Sequence, residues 1–168
     1  MAVDFAGVVG LLVEARVEVI VIGGLAAQAH GSARITQDTD FLYRRTRENI
    51  DRLTGALAAY QPYLRGAPPG LPFRFDTRTV ERGLNFTLTT ALGDVDLLGE
   101  VSGIGAFEVV LPHAVELPVF GKSVLVLDLP WLIRSKRAAG RPKDLEAIAE
   151  LEALLAEKER AGHSGRNE

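Results

Sequence analysis

The stretch that decides the fold reads Val19-Ile20-Val21-Ile22-Gly23-Gly24 and, after a spacer from Leu25 to Gln37, resumes as Asp38-Thr39-Asp40-Phe41-Leu42. The first part is short, β-branched and apolar, so residues 17–22 are expected to form a buried strand. The two glycines end it. Lacking a Cβ, they can turn sharply and let backbone N–H groups approach an anion. Residues 37–43 are expected to form a second strand. Side chains alternate along an extended chain, so Asp38 and Asp40 would share one side of the sheet with their Cα atoms roughly 6–7 Å apart.

Two carboxylates at that spacing can share divalent cations about 3.5–4 Å apart. Magnesium in particular keeps several waters and is held by one or two carboxylates together with substrate phosphates. The competing reading is a pair of surface aspartates in a turn. The glycine bend at the end of the preceding strand argues for the first, and the combination points to metal-dependent chemistry on a nucleoside triphosphate.

Working outward, residues 3–15 place Val3, Phe5, Ala6, Val9, Leu12 and Val13 at helical spacing. Residues 24–30 are alanine-rich and read as a helix broken by Gly31 and Ser32. Residues 48–60 form an amphipathic helix with Ile50, Leu53, Leu57 and Tyr60 on one stripe. The prolines and glycines of 66–72 make a loop. Strands are expected at 73–78, 84–92 and 94–98, with a glycine-containing loop at 102–107 and a hairpin of 115–119 with 123–127. Asp128 is placed to cap a helix with Pro130 in its first turn, running to Ala139 and ended by Gly140. A last helix begins at Arg141-Pro142-Lys143-Asp144 and is expected to run to about Glu159. The fold class is therefore α/β (α+β): a mixed β-sheet flanked by helices, with a C-terminal helical segment. The expected organisation is a core over 1–127, a helical segment packed on it over 128–160, and a disordered tail over 161–168.

Composition narrows the function. With 168 residues, 47% hydrophobic and 24% charged, the chain can build one domain with a real core. No apolar run reaches the length of a membrane span, so no membrane partner is expected. The N-terminus lacks the basic region and cleavage site of a signal peptide, and there is no cysteine, which fits a cytoplasmic protein. The net charge of −3 disfavours a general nucleic-acid binder. Three dispersed histidines, His30, His113 and His163, argue against a histidine-rich metal site, and His30 reads as a structural hydrogen-bonder.

Asp94 and Asp96 lie at i, i+2 and share a face if extended. Arg34, between the two parts of the opening motif, can reach a phosphate or an acidic partner, and Thr36 reads as ordering the loop. Residues 132–144 carry Arg134, Lys136, Arg137, Arg141, Lys143 and Asp144. The bland reading is cations at one helix C-terminus and an acid at the next helix N-terminus.

Taken together, Ile22-Gly23-Gly24, Asp38-Thr39-Asp40 and Gly93-Asp94-Val95-Asp96-Leu97-Leu98 resemble the nucleotidyltransferase superfamily with its polymerase-beta-like fold. Gly23-Gly24-Leu25-Ala26, His30-Gly31 and Arg34-Ile35-Thr36-Gln37 look like the small stand-alone bacterial members, minimal and toxin-type (abortive-infection) enzymes. The resemblance covers residues 17–98 and, more loosely, 125–155. It implies Asp38, Asp40 and Asp96 as catalytic and metal-binding residues, with Mg2+ (or Mn2+) as cofactor. It implies Gly23, Gly24, Arg34, Lys136 and Lys143 as nucleotide-binding residues, with the helix after Gly24 offering N–H donors to phosphate, and Asp144 as a supporting acid. The implied reaction moves a nucleoside monophosphate from an NTP to a hydroxyl acceptor: a tRNA end, a protein side chain or a small molecule. An antitoxin partner is among the implied options. Many relatives carry serine where this chain has Gly24, so phosphate holding would rest here on backbone groups. The alternative is a catalytically inactive nucleotide- or partner-binding module on the same fold; a phosphohydrolase is a third reading.

Overall fold

The computed structural model describes residues 3–165. Helix α1 (Phe5–Glu14) is capped by Asp4, whose Oδ1 accepts from the Gly7 N–H at 2.8 Å, and it buries Val8, Val9 and Leu12. Strand β1 (Val19–Ile22) runs straight into α2 (Gly23–Ala29), and β2 (Thr39–Tyr43) follows a loop. Helix α3 (Arg47–Leu57) is capped by Thr46, buries Ile50, Leu53 and Leu57, and tightens into a 3-10 turn at Ala58–Tyr60. Next come a two-residue edge strand β3 (Tyr63–Leu64), α4 (Thr77–Arg82), β4 (Phe86–Thr90) and β5 (Gly93–Leu98). A small ribbon of β6 (Glu100–Val101) and β7 (Gly105–Ala106) leads to the single turn α5 (Phe107–Val110).

The hairpin β8 (Ala114–Val119) and β9 (Lys122–Leu127) is closed by Phe120 and Gly121, both at positive φ (50° and 76°), the geometry that matches the twist of a two-residue hairpin. Helix α6 (Leu129–Ala139) starts at Asp128, whose carboxylate accepts from the Trp131 N–H at 2.9 Å, and stops at Gly140 in the left-handed conformation. Helix α7 (Pro142–Ser164) completes the chain.

Seven strands form one mixed sheet in the order β3-β4-β5-β2-β1-β9-β8. β1 is antiparallel to β2 and parallel to β9, while β2 is parallel to β5. Helices α2, α6 and α7 lie on one face, with α1, α3, α4 and α5 on the other. The alternation along β5 separates the two: Val95 and Leu97 are buried, while Asp94, Asp96 and Leu98 face the partly open side. One contiguous core includes Ile20, Phe41, Leu42 and Leu97 from the sheet, Leu132 from α6, and Leu151 from α7, so the C-terminal helices share it. Among the described residues no helix is long and apolar enough to cross a membrane.

Four expectations need correction. Residues 73–78 are not a strand: Asp76 accepts from the Thr79 N–H at 2.9 Å and starts α4, while Phe75 packs edge-on against Phe86. The second strand begins at Thr39 rather than Gln37, because the Thr36 hydroxyl bonds both the N–H and the carbonyl of Asp38 and holds that residue in the loop. Residues 102–107 contain β7 and the start of α5. The last helix continues past Glu159, through Arg160 and Ala161, as far as Ser164. The expected disordered tail is thus helical over its first residues, and the part at 166–168 lies outside the described residues.

Candidate functional site

The register of the central strands assembles the site. Ile22 of β1 lies opposite Asp40 of β2, and Asp40 lies opposite Asp96 of β5. The bend after Ile22 therefore falls beside the Asp40 carboxylate. Gly23 sits at φ 66°, and a Cβ there would overlap Asp40 Oδ2; a Cβ on Gly24 would overlap the Thr36 hydroxyl. Both positions need glycine for close approach, and Gly23 also needs it for its backbone conformation. Helix α2 is only seven residues long, so it brings no long helix dipole to the cleft that Gly24 lines.

Asp40 and Asp96 lie side by side across the β2–β5 pairing, close enough for their charges to interact. Burial pushes the Asp40 carboxyl up to about 7, reinforced by the neighbouring Asp96 and by the charge of Asp38, with Lys136 pulling the other way. Near neutral pH Asp40 is therefore partly protonated beside Asp96. Asp38 sits one residue before β2, exposed, on the same cleft. Among the described residues no three His, Asp or Glu side chains are already gathered round a single point.

That cleft encloses about 430 Å³ and runs from the sheet to α7. Asp38, Asp40, Asp96, Gly24, Arg34, Lys136, Lys143 and Asp144 all line it, with Gly23 directly behind Asp40. Lys136, on the inner side of α6, stands between the acids and Asp144, 3.5 Å from Asp144 Oδ1. Asp144 is 1% exposed and does two jobs. Its Oδ2 caps the start of α7 by accepting from the Arg141 N–H at 3.2 Å, and it pairs with the Arg141 guanidinium at 2.6 Å. Burial alone would raise this carboxyl, but the Arg141 bonds and the Lys136 charge hold it below the usual range. The cations at the end of α6 and the acid at the start of α7 thus form one cluster that lines the cleft.

Arg34 lies at the cleft but is turned to α7, where its Nε meets Glu150 Oε2 at 3.1 Å. His30 is buried away from the acids. Its Nε2–H donates to the Leu127 carbonyl at 2.8 Å and its Nδ1 accepts from Lys158 Nζ at 2.9 Å. Sequence reasoning missed Arg65, at the end of β3, which reaches Asp96 Oδ1 with Nη2 at 2.8 Å. It also left Arg141 without a definite role. The Arg141–Asp144 spacing at a helix start was a usable signal for the second. Nothing local marks the first, because Arg65 meets Asp96 only through strand pairing.

The donor set suits a hard divalent cation. Asp40 and Asp96 are two carboxylates set side by side on the cleft, a place where a cation relieves their repulsion, and the acidic side chains offer only oxygen donors. No known family model matches the chain, and no curated protein matches it.

Proposed function

We propose that this chain is a magnesium- or manganese-dependent nucleotidyltransferase, moving a nucleoside monophosphate from an NTP to a hydroxyl acceptor. The observation that supports this best is the side-by-side pairing of Asp40 and Asp96, with Lys136 and the Gly23-Gly24 bend at the edges of the same cleft. Asp38, Asp40 and Asp96 would hold the cation, which when bound supplies positive charge against the triphosphate and the attacking oxygen.

The chain's own groups account for the rest. Lys136, with Lys143 and Arg141 behind it, offers cations to the β- and γ-phosphates from the α6–α7 side of the cleft. The N–H groups of the glycine bend face them from the sheet side. The acceptor oxygen attacks the α-phosphorus, the bond to the bridging oxygen breaks, and pyrophosphate leaves with that electron pair. Asp96 is placed to take the acceptor's proton. Positioning and electrostatics supply most of the rate in such a reaction.

The test is transfer of α-labelled nucleotide, assayed with each NTP, with Mg2+ or Mn2+, and with tRNA, protein and small polyhydroxylated acceptors. Pyrophosphate release with labelled acceptor supports the proposal, and Asp38→Asn, Asp40→Asn and Asp96→Asn should each abolish it. Wild-type rates in those variants overturn it. NTP binding without pyrophosphate release assigns the chain to the inactive binding module instead, and phosphate release without an acceptor assigns it to a hydrolase.

A further inference from the structure

Across the open half of the sheet, strand register sets four residues in one row: Asp40 on β2, Asp96 on β5, Thr87 on β4, and Arg65, whose N–H donates to the Thr87 carbonyl at 2.9 Å and so continues the β3 pairing. Neighbouring strands lie about 4.8 Å apart, so Arg65 is separated from Asp96 by one strand, a gap its side chain spans. Nη2 makes two bonds there. One goes to Asp96 Oδ1 at 2.8 Å and the other to the Leu88 carbonyl at 3.0 Å. Nε lies 3.2 Å from Asp94 Oδ2 but is buried and makes no aligned hydrogen bond. The guanidinium is thus anchored to the backbone of β4 and directed at one acid. Asp94 acts on it through space.

We infer that Arg65 is a positioning residue for Asp96: a strut from the end of β3, braced on the β4 backbone, that holds this carboxylate at the cleft against the repulsion of Asp38 and Asp40. The inference rests on the proposed metal-dependent reading of the three aspartates. Asp96 has two neighbours across the sheet, Asp40 on one side and Arg65 on the other. Among the described residues Arg65 is the cation that bonds Asp96, and without it the side chain is freer to rotate towards solvent. Arg65 also approaches from the side of Asp96 away from Asp40, which leaves the Asp40-facing side for the cation. A lysine would keep the charge but has no rigid fork to bond carbonyl and carboxylate together. Groups that orient a ligand in this way typically contribute 10–100-fold to metal affinity or activity.

The experiment measures Mn2+ binding to the nucleotide-free protein by electron paramagnetic resonance, alongside transfer kinetics, for wild type, Arg65→Met, Arg65→Lys, Asp96→Asn and the Arg65→Met/Asp96→Asn double variant. Thermal melts confirm that each is folded. Arg65→Met is expected to weaken Mn2+ binding 10–100-fold and lower kcat by a similar factor, with the KM for NTP changing less than threefold because Lys136 and the glycine bend are untouched. Arg65→Lys should recover part of both losses, and Arg65→Met should add nothing in the Asp96→Asn background. Tighter Mn2+ binding in Arg65→Met would show that Arg65 competes with the cation, and unchanged binding would show that it is incidental; either overturns the inference while leaving the nucleotidyltransferase reading standing. If wild type binds no Mn2+, the inference falls together with that reading.

Discussion

Two residues show how closely backbone and chemistry are tied at this site. Gly23 is left-handed and touches Asp40, so Gly23→Ala both strains the backbone and displaces a carboxylate. Strain of this kind costs about 1–3 kcal/mol. Chemical denaturation should show a loss in that range, and transfer should fall with it; unchanged stability would mean the bend is not under this constraint. Asp40 carries the opposite sign. Folding raises its carboxyl from 3.8 to about 7, so the folded chain binds this proton more tightly than the unfolded chain. Its stabilising contribution is complete below about pH 4 and is lost as pH rises through 7. Asp40→Asn should therefore be inactive yet more stable than wild type at pH 8, on the order of 2–4 kcal/mol, with the difference shrinking towards pH 4. Denaturant titrations of both proteins at several pH values give this difference, with groups distant from Asp40 cancelling between the two. A variant less stable at pH 8 would mean that the Asp40–Asp96 contact is not strained.

At the scale of elements, α7 forms one wall of the cleft through Asp144 and Glu150, and it is pinned at its far end by Lys158 on His30. Burial holds the His30 imidazole below its ordinary range, with the nearby Lys158 adding to the effect against the Leu127 bond and Asp128. The stability this contributes is present above about pH 6.5 and is lost as pH falls through the lowered value. A protonated ring has no lone pair for Lys158. Amide exchange in the last turns of α7, corrected for intrinsic rates, should accelerate below pH 6, and Lys158→Met should show that acceleration already at pH 7.5, with a loss of about 1 kcal/mol. Exchange independent of pH and of Lys158 would mean the pin is decorative. Elements bounded by their own caps were legible in sequence. Asp128 and Gly140 delimit α6, and the alternation around Asp94 and Asp96 gives β5. Elements whose limits depend on distant partners were not. The two-residue β3 exists only because β4 lies beside it, whereas α4 was missed despite a local cap, Asp76, because the run before it reads as a strand. The site divides the same way. Asp38 and Asp40 were singled out by their spacing and the glycine bend, and Asp96 over Asp94 only by the resemblance, while Arg65 was invisible because its partner is 31 residues away.

For the whole molecule, the site is a balance of charge. The cleft gathers Asp38, Asp40, Asp96, Asp144 and Glu150 against Arg34, Lys136, Arg141 and Lys143. Asp144 and Glu150 already have cationic partners in Lys136, Arg141 and Arg34. Asp96 has Arg65, which leaves Asp38 and Asp40 in excess, and their crowding with Asp96 together with burial raises the Asp40 carboxyl to about 7. A divalent cation and the Asp40 proton occupy the same negative region and must compete. Binding of Mg2+ with NTP should therefore release protons near pH 7, and the apparent affinity should rise by up to tenfold per pH unit between pH 5 and 7, then level off. Any ligand that binds only the folded chain stabilises it, by about 2.7 kcal/mol at a hundred times its dissociation constant. The melting temperature with Mg2+ and NTP should accordingly increase far more at pH 8 than at pH 6, and the increase should vanish in Asp38→Asn and Asp96→Asn. Calorimetry in buffers of differing ionisation enthalpy counts the protons. Equal stabilisation at both pH values, with no proton release, would separate the cation from Asp40 and move the metal reading away from these three acids.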